Sequence, residues 1–373
     1  MSGRTSFHSV CRWTFTSESD EANPDHARSS WSPERLHAAG VVHLLSEEVV
    51  PRLPEHIQLG FEVRYKAGVQ ERTADELAEA LEGHRIALAL VAPDAPARFS
   101  YGGLASPDDR ERDQALQLGT KAVDLAYGPL ARAWQRDRSL APTLMLWNDS
   151  WTYDSAAAPV GMMYERLMQS VARLCRYEKG RGGKMFVAIR PAVSETGQAR
   201  ILPGSASTLL FWRKLEDEFG IKLNRKGVAL SLAHPGSDGL GRVSDLVECV
   251  YHDALVHWSA SSGFGDGLQP PGGTDAGATI NALTIAAAGL MERSGYRRWK
   301  AHPITPRPYE TDSQVLDRIV RSILNWEACA FAAKDLDEKQ LTSHFQQRQI
   351  AKADGQMRRA VSSAWKKFDE WYR

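Results

Sequence analysis

The chain is poor in the patterns that mark most specialised protein classes. Its four cysteines, Cys11, Cys175, Cys249 and Cys329, stand far apart with no CxxC spacing. That excludes a disulfide framework or a thiolate zinc site and leaves buried free thiols in a reducing compartment as the expectation. Charge of one sign is not in excess: 46 Lys+Arg stand against 46 Asp+Glu, for a net charge of zero. Proteins held to nucleic acid or to anionic membranes by bulk charge carry a basic surplus, so neither partner is expected. The longest apolar stretch, Thr279–Met291, falls short of the about 20 residues that cross a bilayer. The N-terminus shows no charged n-region, apolar h-region or cleavage site, so the cytoplasm is the expected location. There is no GxGxxG after a strand, no Walker A pattern, no HExxH, no GxSxG and no EF-hand loop. Gly263, Gly265, Gly267, Gly272 and Gly273 cluster in a loop without the strand–turn–helix setting of a dinucleotide site, and no cofactor is expected.

What is present is an ordinary globular composition, 43% hydrophobic and 25% charged over 373 residues, enough for a large core. Short β-type runs recur at Phe7–Cys11, Ile57–Val63, Arg85–Val91, Thr143–Trp147, Lys184–Arg190, Gly227–Leu232, Ala254–Trp258 and Trp299–His302. Their wide spacing fits βα crossovers rather than hairpins. Helix starts are signalled by a capping box at Thr73-Ala74-Asp75-Glu76 and by Ser106-Pro107-Asp108. Helical periodicity continues through Tyr164–Tyr177 and Ala206–Phe219. Eight alternating pairs predict an α/β fold, a (β/α)8 TIM barrel over residues 1–305. Residues 306–373 change character: Ser313–Ala333 and Asp337–Tyr372 predict two helices with no strand among them. We expect this C-terminal helical extension to serve in self-association, making a homo-oligomer, a dimer or a tetramer.

The order of motifs resembles xylose isomerase over nearly the whole chain. Cys11-Arg12-Trp13-Thr14-Phe15 is similar to that family's N-terminal YWHTF region. Arg98-Phe99, Tyr101-Gly102 and Ala105-Ser106-Pro107 resemble its RFMHGAATSP stretch. Leu146-Trp147 with Tyr153, then Phe219 to Asn224, then Gly272-Gly273-Thr274-Asp275, follow in the family's order. The resemblance implies a barrel that binds two divalent cations through carboxylates and a histidine, with a lysine polarising a sugar carbonyl. Those positions are largely replaced here. Arg190-Pro191-Ala192 stands in place of Glu-Pro-Lys. Asn224-Arg225-Lys226 followed by Ala229 replaces Asn-Ile-Glu and the ligand histidine, and Ser259 falls on an aspartate. Gly273 replaces another aspartate, Asp275 is retained, His302 aligns with the last strand's aspartate, and Glu62 falls on the ring-opening histidine. Cations about 4 Å from a divalent ion repel it by several kcal/mol, so no metal is expected in the family's manner.

The resemblance therefore implies a metal-independent enzyme acting on a sugar-like, possibly anionic, small molecule by isomerase, epimerase or lyase chemistry. Glu62 and His302 are the candidate acid and base. Arg190, Lys226 and Asp275 are candidate substrate-binding groups, with Trp13 and Trp147, beside Trp151, as an apolar wall. Other readings stay open. Arg190 and Lys226 would pair with Asp275 and Glu62 in a catalytically silent homologue that binds a ligand or a partner subunit. A relocated single metal would draw on His234, Asp238, His252, His257, Asp266 and Asp275.

Overall fold

The computed structural model describes residues 5–15, 37–66, 68–93, 99, 102–147, 159–191, 201–231, 240–260, 277–304 and 310–373. The strands are β1 Ser6–Cys11, β2 Ile57–Arg64, β3 Ala87–Ala92, β4 Thr143–Trp147, β5 Phe186–Arg190, β6 Lys226–Ser231, β7 Leu255–Ser259 and β8 Lys300–Ala301. They form one closed barrel in chain order. Pairing is parallel throughout, and β8 returns to β1 at His8↔Lys300 and Ser9↔Ala301. The helices that follow them are α1 Ala38–Glu48, α2 Ala74–Gly83, α3 Asp109–Tyr127, α4 Val160–Arg181, α5 Ser205–Phe219, α6 Leu240–Tyr251, α7 Ala282–Ser294 and α8 Asp312–Ala333. The expected (β/α)8 barrel is therefore the fold, with α8 as the helix after β8. Two further helices follow, α9 Glu338–Gln346 and α10 Ile350–Tyr372.

Side-chain alternation sorts each strand between two cores. On β2, Leu59, Phe61 and Val63 join the large apolar core under the helices, which leaves Gly60 and Glu62 facing the lumen. The lumen floor is Trp299 with Ala87, Ala89 and Leu140. Gly60 is a glycine because a Cβ there would stand 2.7 Å from the Trp299 ring. Above this floor lie Leu90, Met145, Ala188, Ala229 and Val256. The register of β2 against β3 slips between Phe61 and Glu62. Such irregularities re-aim a single side chain, and this one falls at the carboxylate that heads the site.

Local details depart from the sequence reading. The hydroxyl of Thr73 turns upstream, accepting from the Gln70 N–H at 3.1 Å, so Thr73 precedes α2 without capping it by its side chain. The cap of α3 is Asp108, which accepts from the Arg110 N–H at 2.9 Å, while Ser106 accepts from Asp108 itself. The single helix expected over Asp337–Tyr372 is broken in two at Arg348, whose φ of 54° is the left-handed conformation no helix continues through. All four cysteines are buried thiols with no disulfide among them. No described helix is long and apolar enough to cross a membrane.

Candidate active site

Glu62 is completely buried, yet its carboxylate is saturated with donors. Oε1 accepts from Ser9 Oγ at 2.7 Å and lies 3.0 Å from His257 Nε2; Oε2 accepts from Cys11 Sγ at 3.3 Å. Ser9 and Cys11 are two apart on β1, and β1 pairs Cys11 directly with Glu62, so all three point into the lumen. His257 and Ser259 stand two apart on β7 and share that face. Burial alone would raise the Glu62 carboxyl. The charge and hydrogen bond of His257, with the bonds from Ser9 and Cys11, outweigh it and hold the group below its ordinary value.

Cys11, Glu62, Met145, Arg190, His257 and Ser259 line a common cavity with Ala229, Leu230, Ala301 and Pro303. The enclosed space is about 20 Å³, room for one water or one polar substituent. It lies among the strand ends that carry the chemistry of this fold class. A carboxylate only accepts, so His257 donates from Nε2 in either charge state, and in its neutral form the lone pair is on Nδ1. A positioned carboxylate, an imidazole of fixed tautomer and a guanidinium beside them can move a proton and stabilise an oxyanion.

The candidates from sequence divide here. Glu62 and Arg190 are in the cavity. His302 is not, because its neighbours Ala301 and Pro303 line the lumen and a strand alternates faces. Its imidazole turns outward to His8 and to Ser322 of α8. Glu62 is thus paired with His257, not with His302. Lys226 opens β6, three residues before lumen-facing Ala229, and so points the other way. Its Nζ lies 3.6 Å from Glu178 on α4, so the charged pair expected at the strand ends does not form. His252 is exposed beyond α6, apart from His257. Asp275, Trp151, His234, Asp238 and Asp266 lie outside the described residues, as do the side chains of Trp13 and Trp147. Sequence reasoning passed over His257 as a base; its signal was the i, i+2 spacing to Ser259, a position already aligned to the family site.

A second carboxylate–histidine group lies between the barrel and α8. Glu327 Oε1 accepts from Ser6 Oγ at 2.7 Å and lies 2.8 Å from His8 Nε2. His8 Nδ1 lies 2.8 Å from His302 Nε2, and His302 Nδ1 lies 2.7 Å from Ser322 Oγ, which accepts from the Ala278 N–H. The Lys300 ammonium donates to Ser6 Oγ at 3.0 Å. One hydrogen assignment satisfies the whole chain: Ser322 donates to His302, His302 to His8, and His8 to Glu327, with both imidazoles neutral. Burial and then the Lys300 charge push His8 down to about 4. Burial, His8 and Lys300 take His302 well below its ordinary value. The His8–Glu327 contact is accordingly a hydrogen bond to a carboxylate at neutral pH, not an ion pair.

The two-cation centre implied by the resemblance needs several free carboxylate oxygens. The described lining offers Glu62 alone, already accepting three hydrogen bonds, next to the Arg190 guanidinium. Among the described residues no group of three His, Cys, Asp or Glu is arranged to hold a metal ion. These residues do not fit that centre.

No family model and no curated protein sequence matches the chain. Solved structures do. A xylose isomerase domain protein from Alicyclobacillus acidocaldarius superposes with a TM-score of 0.53 at 13% identity, covering 88% of this chain and 100% of that one. D-allulose 3-epimerase from Methylomonas gives 0.56 at 11%, covering 87% and 99%. 3-Keto-D-glucoside 4-epimerase from E. coli gives 0.52 at 13%, covering 78% and 95%. The chain is therefore a divergent barrel with the fold of the xylose isomerase-like proteins and sugar epimerases, as its motif order led us to expect.

Proposed function

We propose that the chain is a metal-independent enzyme that isomerises or epimerises a sugar-like small molecule, with His257 as the base and Glu62 as the residue that positions it. The observation that carries this reading is the 3.0 Å contact of His257 Nε2 with the buried Glu62 carboxylate, on the wall of a cavity that Arg190 also lines. The fold shared with sugar epimerases supports it. The carboxylate fixes the imidazole's tautomer, with the lone pair on Nδ1. Nδ1 takes a proton from the carbon next to the carbonyl, and the electron pair moves to the carbonyl oxygen to give an enediolate beside Arg190. In an isomerisation the neighbouring hydroxyl proton passes to that oxygen, and His257 returns its proton to the former carbonyl carbon. The small cavity accepts one substituent of the sugar, and the ring rests above it.

Solvent exchange tests the reading. In D2O with EDTA present, the protein should wash deuterium into the carbon-bound position of one or more of a panel of aldoses and ketoses, followed by proton NMR. His257→Gln should lower that rate by about 100-fold or more while the protein stays folded. Absence of exchange with every sugar, by a folded wild-type protein, would overturn it in favour of a ligand-binding homologue without catalysis.

A further inference from the structure

The hydroxyl of Ser259 takes no part in that chemistry, although Ser259 lines the same cavity. The residue is 8% exposed, yet its hydroxyl forms no hydrogen bond with any described residue. Buried hydroxyls are ordinarily paired, because one without a partner has lost its hydration for nothing in return. Ser9, the serine that faces Glu62, is paired in this way, donating to the carboxylate at 2.7 Å. Backbone geometry brings Ser259 to its place. Where β6 meets β7 the register slips, so that Val228 pairs with Leu255 but Ala229 pairs with His257. Val256 is the extra residue, and such a bulge reverses the facing of every residue beyond it. Val256 belongs to the lumen core; strict alternation from it would send Trp258 inward and His257 and Ser259 outward. With the bulge, Trp258 and Ala260 join the outer core, and His257 and Ser259 turn to the cavity together.

Residues two apart on a strand are separated by about 7 Å along its axis, so a carbon placed at His257 holds its own substituent within reach of Ser259. The side chains of Met145, Ala229, Leu230, Ala301 and Pro303 on the same wall are apolar. We propose that Ser259 binds the hydroxyl on the carbon that His257 deprotonates, so that the substrate is a sugar with a free hydroxyl at its exchanging carbon. This rests on the enzymatic reading of the cavity and adds the residue that sets specificity at the reacting carbon. A serine hydroxyl donates and accepts at once, which suits another hydroxyl. A hydrogen in that position leaves Ser259 unpaired, and a hydroxymethyl group exceeds the enclosed space of about 20 Å³.

Deuterium exchange on matched sugars tests it: glucose with 2-deoxyglucose, ribose with 2-deoxyribose, and fructose with 3-deoxyfructose, in D2O with EDTA, followed by proton NMR. Wild-type protein should exchange the hydroxyl-bearing member of an accepted pair about tenfold or more faster than its deoxy partner. Ser259→Ala should slow the hydroxyl-bearing member by about tenfold and leave the deoxy member within about twofold, so that the preference collapses. A serine with a structural role alone would slow both members alike. Comparing the ratio between variant and wild type also cancels the intrinsic difference in acidity between the two sugars. Equal exchange of both members by wild type, an unchanged preference in folded Ser259→Ala, or equal slowing of both members would each overturn the proposal and spare the isomerase reading. No exchange on any of the six sugars by folded wild-type protein would remove the isomerase reading and this inference with it.

Discussion

Glu62 and Glu327 face opposite sides of the same barrel wall, and each meets a histidine within 3.0 Å. Glu62 lies in the lumen among Ser9, Cys11 and His257, and its histidine borders a cavity with Nδ1 uncommitted by the bond to the carboxylate. Glu327, on α8, faces the outer wall, where hydrogen bonds run on from His8 through His302 to Ser322 and the Ala278 N–H, so both nitrogens of His8 and of His302 are already used. Both groups contain a buried carboxylate held below its ordinary value. Displacement alone therefore does not separate a reactive site from a structural one. The separating features are an acceptor not consumed within its own network and a space beside it.

The contrast predicts different costs for disturbing the two groups. Glu327→Ala removes the acceptor of Ser6 and His8 and the counter-charge of buried Lys300, so the unfolding free energy should fall by about 3–5 kcal/mol, measured by urea denaturation. A loss below about 1 kcal/mol would show that the outer group does not hold α8 to the barrel.

Acid comes next in size. His8 stays neutral in the folded chain down to about 4, whereas its ordinary value is 6.5. Between those values the unfolded chain binds more protons, so this stability is complete above about 6.5 and falls as the pH drops toward 4. His8 alone should remove about 3 kcal/mol over that window, and His302 acts in the same direction. Urea midpoints that do not change across the window would contradict the neutral assignment. The smallest effect belongs to Lys226, whose ion pair with Glu178 spans 3.6 Å outside the lumen. Lys226→Met should leave deuterium exchange on an accepted sugar within about twofold of wild type; a larger loss of exchange would return Lys226 to the site.

Sequence pattern exposed the barrel because periodicity and spacing are repeated eight times, so errors of one or two residues at each strand end do not matter. The site has no such redundancy. A one-residue difference on β8 separates Ala301 in the cavity from His302 under α8, and three residues on β6 separate Lys226 from Ala229. Both mistaken assignments are errors of parity, where a shift of one residue exchanges lumen for outer wall. Glu62 was legible because the motif around it fixed its register. His257 was not, since its role depends on a contact between residues 195 apart in the chain. The break at Arg348 was hidden for another reason: nothing in the residue type announces its left-handed backbone.

The most direct measurement compares the two carboxylates in one assay. Deuterium wash-in to an accepted sugar should fall by about 100-fold or more in Glu62→Gln, which puts a neutral amide in place of the charged acceptor of His257, and remain within about threefold of wild type in folded Glu327→Gln. Equal losses in the two variants, or a loss confined to Glu327→Gln, would contradict the placement of the chemistry in the barrel lumen.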